Sequence, residues 1–214
     1  MGKLIHIAHR LRRRLFDSRR RAVSDSESFA TPLCQSPLQI QDLPLLVFAG
    51  EYLAPYQITF EVQARTKAPG SYLISDSNRH AFVELRIRND LLCPEIREVW
   101  SQDGKRRIAF ACRKRWSKHW CLYLPSGAPI CDLIANPSGY TVLLHGSKEV
   151  LSIQTHCNCG GPCFNFHRGD SHLAGRTVAM AIPKPDRSGF QIVVAPFVDV
   201  MLVIAISSCV WKMS

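Results

Sequence analysis

The sequence lacks the short motifs that mark most hydrolytic and phosphoryl-transfer chemistry. It has no Gly-x-Ser-x-Gly, no phosphate-cradling glycine loop and no His-Glu-x-x-His. Asp132, Asp170 and Asp186 read as isolated carboxylates near turns, and His119, His145 and His172 have no pairing that spacing reveals. No enzyme and no cofactor is therefore expected. The N-terminus has basic residues but no apolar core of signal-peptide length. Nine cysteines, an odd number, argue against a secreted disulfide framework, so an intracellular protein with reduced thiols is expected. No internal repeat stands out.

What is present is unevenly distributed. The chain has 214 residues, 46% of them hydrophobic and 21% charged, enough for one well-buried domain and a tail. The formal net charge is +10. Within residues 1–21, Lys3, Arg10, Arg12, Arg13, Arg14, Arg19, Arg20 and Arg21 face the single acid Asp17, so this stretch supplies most of that excess. Leu4, Ile7, Ala8, Leu11 and Leu15 recur there at helical spacing, which predicts a basic amphipathic helix. Residues 22–40, rich in Ser, Pro, Gln and Asp, read as a flexible linker. The domain proper is expected over 41–214.

From about residue 41 the pattern changes to strands. In "QITFEVQA", Ile58, Phe60, Val62 and Ala64 face one way and Gln57, Thr59, Glu61 and Gln63 the other; "AFVELRIR" alternates in the same manner. Asp103-Gly104, between "REVWS" and "RIAFAC", is a hairpin signal. Further short strands follow at regular spacing, about twelve in all, which suggests a barrel or a sandwich.

The chain closes with "FQIVVAPFVDVMLVIAISSCVWKMS". After Pro196 the apolar run over 197–211 is fifteen residues, against roughly 20 for a spanning helix. Asp199 at mid-bilayer would cost about 2.5–3.5 kcal/mol. The better reading is a strand ending near Ala195, a break at Pro196, and a helix apolar on all sides. Such a helix must be enclosed, and a β-barrel can enclose it. Its core residues are expected to be Val198, Val200, Leu202, Val203, Ile204 and Ile206.

This closing segment, strand then proline then Val-Asp and an apolar helix, resembles the LURP-one-related branch of the tubby-like superfamily. "EYLAPYQITFEVQA" resembles the family's opening strand, "FACRKRWSKHWCLYLPS" its paired strands, and "SHLAGRTVAMA" its penultimate element, so the resemblance spans roughly residues 50–211. Phospholipid scramblases share the superfamily. The resemblance implies a mainly β fold, a closed antiparallel β-barrel of about twelve strands around a buried hydrophobic C-terminal helix. It also implies phosphoinositide binding, as in tubby proteins, and an association with plant defence. Phe197 replaces the small residue usual after the proline, and Trp211 and Lys212 stand where an acid is common.

Three candidate sites follow. The basic tail fits an anionic membrane surface; a nucleic-acid or nuclear-targeting patch, a calmodulin target and an organellar transit peptide are the alternatives. Gly2 raises N-myristoylation, against which His6 stands where Ser or Thr is wanted. The second site is a pair of basic clusters, Lys105, Arg106 and Arg107, then Arg113, Lys114, Arg115 and Lys118, at opposite ends of one strand and about 17–20 Å apart. Either can hold an anionic lipid headgroup. The second cluster is preferred, because Trp116 and Trp120 lie beside it and suit a membrane interface. The third is "HCNCGGPCFNFH", in which Cys157, Cys159, Cys163, His156 and His167 offer a zinc set, and the cysteines offer reversible acylation or redox chemistry; a turn carrying incidental thiols is the plainer reading, and no metal is expected. The expected protein is a monomeric, non-enzymatic regulator at the membrane periphery. A scramblase-like integral protein and a nucleic-acid-binding regulator are the alternatives.

Overall fold

The computed structural model describes residues 38–39, 44–48, 50–66, 68–89, 95–115, 117–158, 161–169, 176–184 and 189–211. The chain separates into two units, Met1–Leu33 and Cys34–Ser214. All described residues belong to the second, so the basic tail, with Lys3 to Arg21, lies outside them.

Twelve strands follow in order: β1 Ile58–Ala64, β2 Ser71–Asp76, β3 Ala81–Arg88, β4 Ile96–Ser101, β5 Arg107–Arg113, β6 Trp120–Tyr123, β7 Pro129–Asn136, β8 Gly139–Leu144, β9 Val150–Asn158, β10 Gly161–Arg168, β11 Arg176–Pro183 and β12 Gly189–Val194. Each pairs antiparallel with its chain neighbours, and β1 closes on β12 with Ile58 opposite Val194 and Val62 opposite Phe190. The alternation read from the sequence is the cause. One side of each strand is apolar, and closure buries all twelve apolar sides at once without leaving a sheet edge. Between β4 and β5, Gly104 adopts φ +67, a conformation that glycine takes without steric cost, and its N–H donates to the Ser101 carbonyl.

Helix α1, Val200–Val210, fills the barrel, and all eleven of its residues are buried. The six positions expected in the core, Val198, Val200, Leu202, Val203, Ile204 and Ile206, are each at most 4% exposed. No described helix is long and apolar enough to cross a membrane.

Asp199 caps the helix and joins it to the start of the domain. Its Oδ1 accepts from the N–H groups of Met201 and Leu202, its Oδ2 from those of Val47 and Phe48. Burial pushes its pKa up, and the four N–H donors oppose that shift. Leu45 and Ala54 add backbone hydrogen bonds to Phe197, Val198 and Asp199. Leu45, Val47, Phe48 and Ala54, which precede β1, are therefore a latch over the helix N-terminus. Gln39, placed in the linker by composition, donates its N–H to the Thr177 carbonyl on β11.

At the other end of the helix, the Arg97 guanidinium donates to the Trp211 carbonyl at 2.7 Å, a cation where the helix dipole favours one. Arg97 also pairs with Glu95 and lies over the Trp120 ring, 4.9 Å from its centroid. Phe190 stacks on Trp211 at 4.3 Å. These side chains close that end of the barrel.

Candidate functional site

The basic clusters lie at opposite ends of β5, separated by about 20 Å at 3.3 Å per residue. In the first, Arg107 pairs with Glu98 at 3.1 Å and lies over Phe110, and Arg106 donates to the Tyr52 hydroxyl; Lys105 is exposed. In the second, Arg113 donates to the Ser117 carbonyl and pairs with Glu95 at 3.6 Å, so it braces the turn. Lys114, Arg115 and Lys118 are exposed on that turn, and Lys114 and Lys118 form no ion pair among the described residues. One expectation is corrected. Trp120 is 4% exposed and points into the barrel beneath Arg97, with the same strand parity as Leu122, so it is a core residue and cannot sit at a membrane interface. Trp116 lies outside the described residues.

The cysteine-rich stretch forms the ends of β9 and β10. Cys157 is exposed opposite Pro162, while Cys163 is fully buried opposite His156. Cys163 and His167 are four residues apart on one strand, about 13 Å. His167 Nδ1 is 3.2 Å from the Thr177 hydroxyl. Strand geometry thus holds Cys157, Cys163 and His167 apart; Cys159 lies outside the described residues.

A different group does converge. His119 precedes β6, Cys121 is on β6, Asp132 is in the middle of β7, and His145 follows β8. Their strand neighbours Trp120, Leu122, Cys131 and Leu133 point into the core, so these four project from the outer wall. His119 Nε2 is 2.8 Å and Cys121 Sγ 2.9 Å from Asp132 Oδ1, and His145 Nε2 is 2.9 Å from Asp132 Oδ2. Cys121 Sγ and His119 Nε2 are 3.8 Å apart. Burial works against the Asp132 charge, but hydrogen bonds from Cys121, His119 and His145 outweigh it and hold the pKa at about 2. Burial, then the Asp132 carboxylate, push the Cys121 thiol up. Asp132 is therefore not an isolated carboxylate near a turn, and His119 and His145 are not unpaired. Cross-strand register brings them together, and linear spacing does not display it. The surface nearby carries Ile134 and Leu143, each 41% exposed.

A groove of about 850 Å³ runs over β8 and β9, with Thr141 and Ser152 along it and Lys148, Glu149 and Arg168 at one end. Arg168 pairs with Glu149, so the two cancel each other's charge there.

No protein-family model matches the chain, and no curated protein matches it. The X-ray structure of a protein from Arabidopsis thaliana has a similar fold, with a TM-score of 0.56, over 76% of this chain and 98% of that one, at 16% identity. At that identity the likeness is one of fold.

Proposed function

We propose that this barrel is a non-enzymatic regulatory protein of the membrane periphery that binds anionic phospholipid, with phosphoinositide headgroups as the ligand class. The observation that supports it most is the β5–β6 turn, where Lys114, Arg115 and Lys118 stand exposed together while Arg113 is used to hold the turn in shape. A lysine or arginine near an anionic leaflet contributes about 1 kcal/mol, and the basic tail adds to the same attraction. The barrel shared with the Arabidopsis protein, together with the closing motif, supports the LURP-one-related reading. A role in plant defence rests on that reading, and an intracellular location on the odd number of cysteines. The scramblase-like alternative needs the closing helix in a bilayer. An eleven-residue helix buried inside the barrel favours peripheral attachment.

The test is co-sedimentation of the full chain with vesicles of neutral lipid, with and without phosphatidylserine or a phosphoinositide. Binding is expected only with anionic lipid and is expected to fall with salt. Lys114→Ala with Lys118→Ala should weaken it by about 20-fold, the equivalent of roughly 2 kcal/mol. Equal binding to neutral vesicles, or binding unchanged by the double substitution, would overturn the rim's role. Retention on nucleic acid that exceeds retention on anionic vesicles at equal salt would favour the nucleic-acid reading.

A further inference from the structure

We infer that His119, Cys121 and Asp132 form a binding site for a divalent zinc-type metal ion on the outer wall of the barrel, with His145 holding the second oxygen of Asp132. The three donor atoms lie within 4.8 Å of one another. Bonds of about 2.0–2.3 Å around a tetrahedral ion put neighbouring donors roughly 3.3–3.8 Å apart. The Cys121–His119 separation of 3.8 Å already matches such an edge. The other two separations, 2.8 and 2.9 Å, are hydrogen bonds to one shared oxygen, Asp132 Oδ1. An ion placed among the three atoms replaces both bonds and needs only a small outward shift of each group.

The donor set is nitrogen, sulfur and oxygen, the mixture that suits zinc better than magnesium or calcium. The supports are rigid. Cys121 and Asp132 are direct partners in the β6–β7 ladder, and the His145 N–H is bonded to the Ile130 carbonyl on β7. His145 occupies Asp132 Oδ2, which leaves Oδ1 as the ligating atom and fixes the carboxylate plane, the part that an outer-shell histidine or carboxylate plays at metal sites. His119 and Asp132 side chains are each 23% exposed, so the site opens to solvent, which provides both an entry path and a water for the fourth position. On binding, the Cys121 S–H bond breaks, the sulfur–metal bond forms with that electron pair, and the proton leaves to solvent. The neutral His119 ring gives up its Nε2 proton and takes one at Nδ1 through solvent, which frees the Nε2 lone pair for the metal. No oxidant or reductant is involved. The inference is independent of lipid binding.

The experiment uses the full chain, reduced and stripped of metal with a chelator, titrated with Co(II) and then Zn(II). One equivalent of Co(II) is expected to bind, with a thiolate-to-cobalt charge-transfer band and tetrahedral visible absorption, both abolished by one equivalent of Zn(II). Cys121→Ser should remove the charge-transfer band, and His119→Ala the tetrahedral spectrum. His145→Ala should weaken binding by about 10–100-fold. Folding of each variant is checked by near-ultraviolet circular dichroism. A second readout needs no variant: Zn(II) should raise the Tm of the natural chain in a concentration-dependent way. No saturable binding and no Tm shift would overturn the site. A cobalt–thiolate band that survives Cys121→Ser but disappears with Cys157→Ser or Cys163→Ser would overturn it too, and would move the metal to the β9–β10 cysteines.

Discussion

Asp199 and Asp132 are the same side chain in two regions of one barrel, and their surroundings differ in kind. Asp199 is fully buried, and all four of its partners are backbone N–H groups from the helix start and from residues 47 and 48. Those donors are fixed by the fold, do not change charge with pH and do not ligate metal ions. Asp132 is on the outer wall, and its partners are two imidazoles and a thiol, groups that change protonation or bind metals. The inner carboxylate ties segments of chain together. The outer one gathers exchangeable ligands at a place where water can reach them.

The sharpest break of this comparison is Asp199→Ala. It removes a helix cap and leaves two further N–H groups in the latch without an acceptor, so stability should fall by about 3 kcal/mol or more. Denaturant unfolding measures it, and a loss below about 1 kcal/mol would mean that the latch finds other acceptors. Glu84 is an intermediate case, a buried carboxylate held by two guanidinium groups that never lose their charge, Arg65 and Arg86, and by the neutral Ser71 hydroxyl. Hydrogen bonding from Arg86, opposed by burial and helped by Ser71 and Arg65, lowers its pKa from 4.5 to about 2. A depressed carboxyl stabilises above its unfolded value, so this contribution is complete above pH 4.5 and is lost as pH falls toward 2. Its size is about 2 kcal/mol after allowance for the exposure of Arg65 and Arg86. Glu84→Gln should flatten that part of the stability–pH curve; an unchanged slope would remove Glu84 from the account.

The next effect has the opposite sign. Phe197, two residues before Asp199, is exposed and has φ +61, a backbone state that disfavours any residue with a Cβ. Phe197→Gly should raise stability by about 1 kcal/mol, measurable as a higher midpoint of unfolding. The smallest change is expected at the outer site. Asp132→Ala in chelated protein should cost less than about 1 kcal/mol, because solvent can replace a partly exposed carboxylate. Thermal unfolding beside Asp199→Ala is the comparison, and equal losses would erase the distinction between the two sites.

Much of the fold was legible. The alternation in "QITFEVQA" and "AFVELRIR" corresponds to β1 and β3, and the apolar run after Pro196 to the core helix. Trp120 was misjudged because basic neighbours suggested an interface, although its parity with Leu122 already pointed it inward. The outer site was harder to see. His119 and Cys121 alternate on one face, but pairing Cys121 with Asp132 requires counting through the β6–β7 hairpin. A register shift between Leu122 and Tyr123 upsets that count, and a slip of one residue reverses the face.

The sequence by itself determined about twelve short strands and a closing helix that must be buried all round, because a period-two pattern and a run apolar on every side are local properties that constrain what can be buried. Closure of the strands into a barrel around that helix is seen in the tertiary pairing. Tertiary structure alone decided which charges are consumed in pairs, as with Arg107 on Glu98 and Arg113 on Glu95, and which remain outside, as with Lys114 and Lys118. It also decided that His119, Cys121, Asp132 and His145 meet. Their contacts cross three strands and depend on register and a bulge, and neither of these is written in the spacing of residues along the chain.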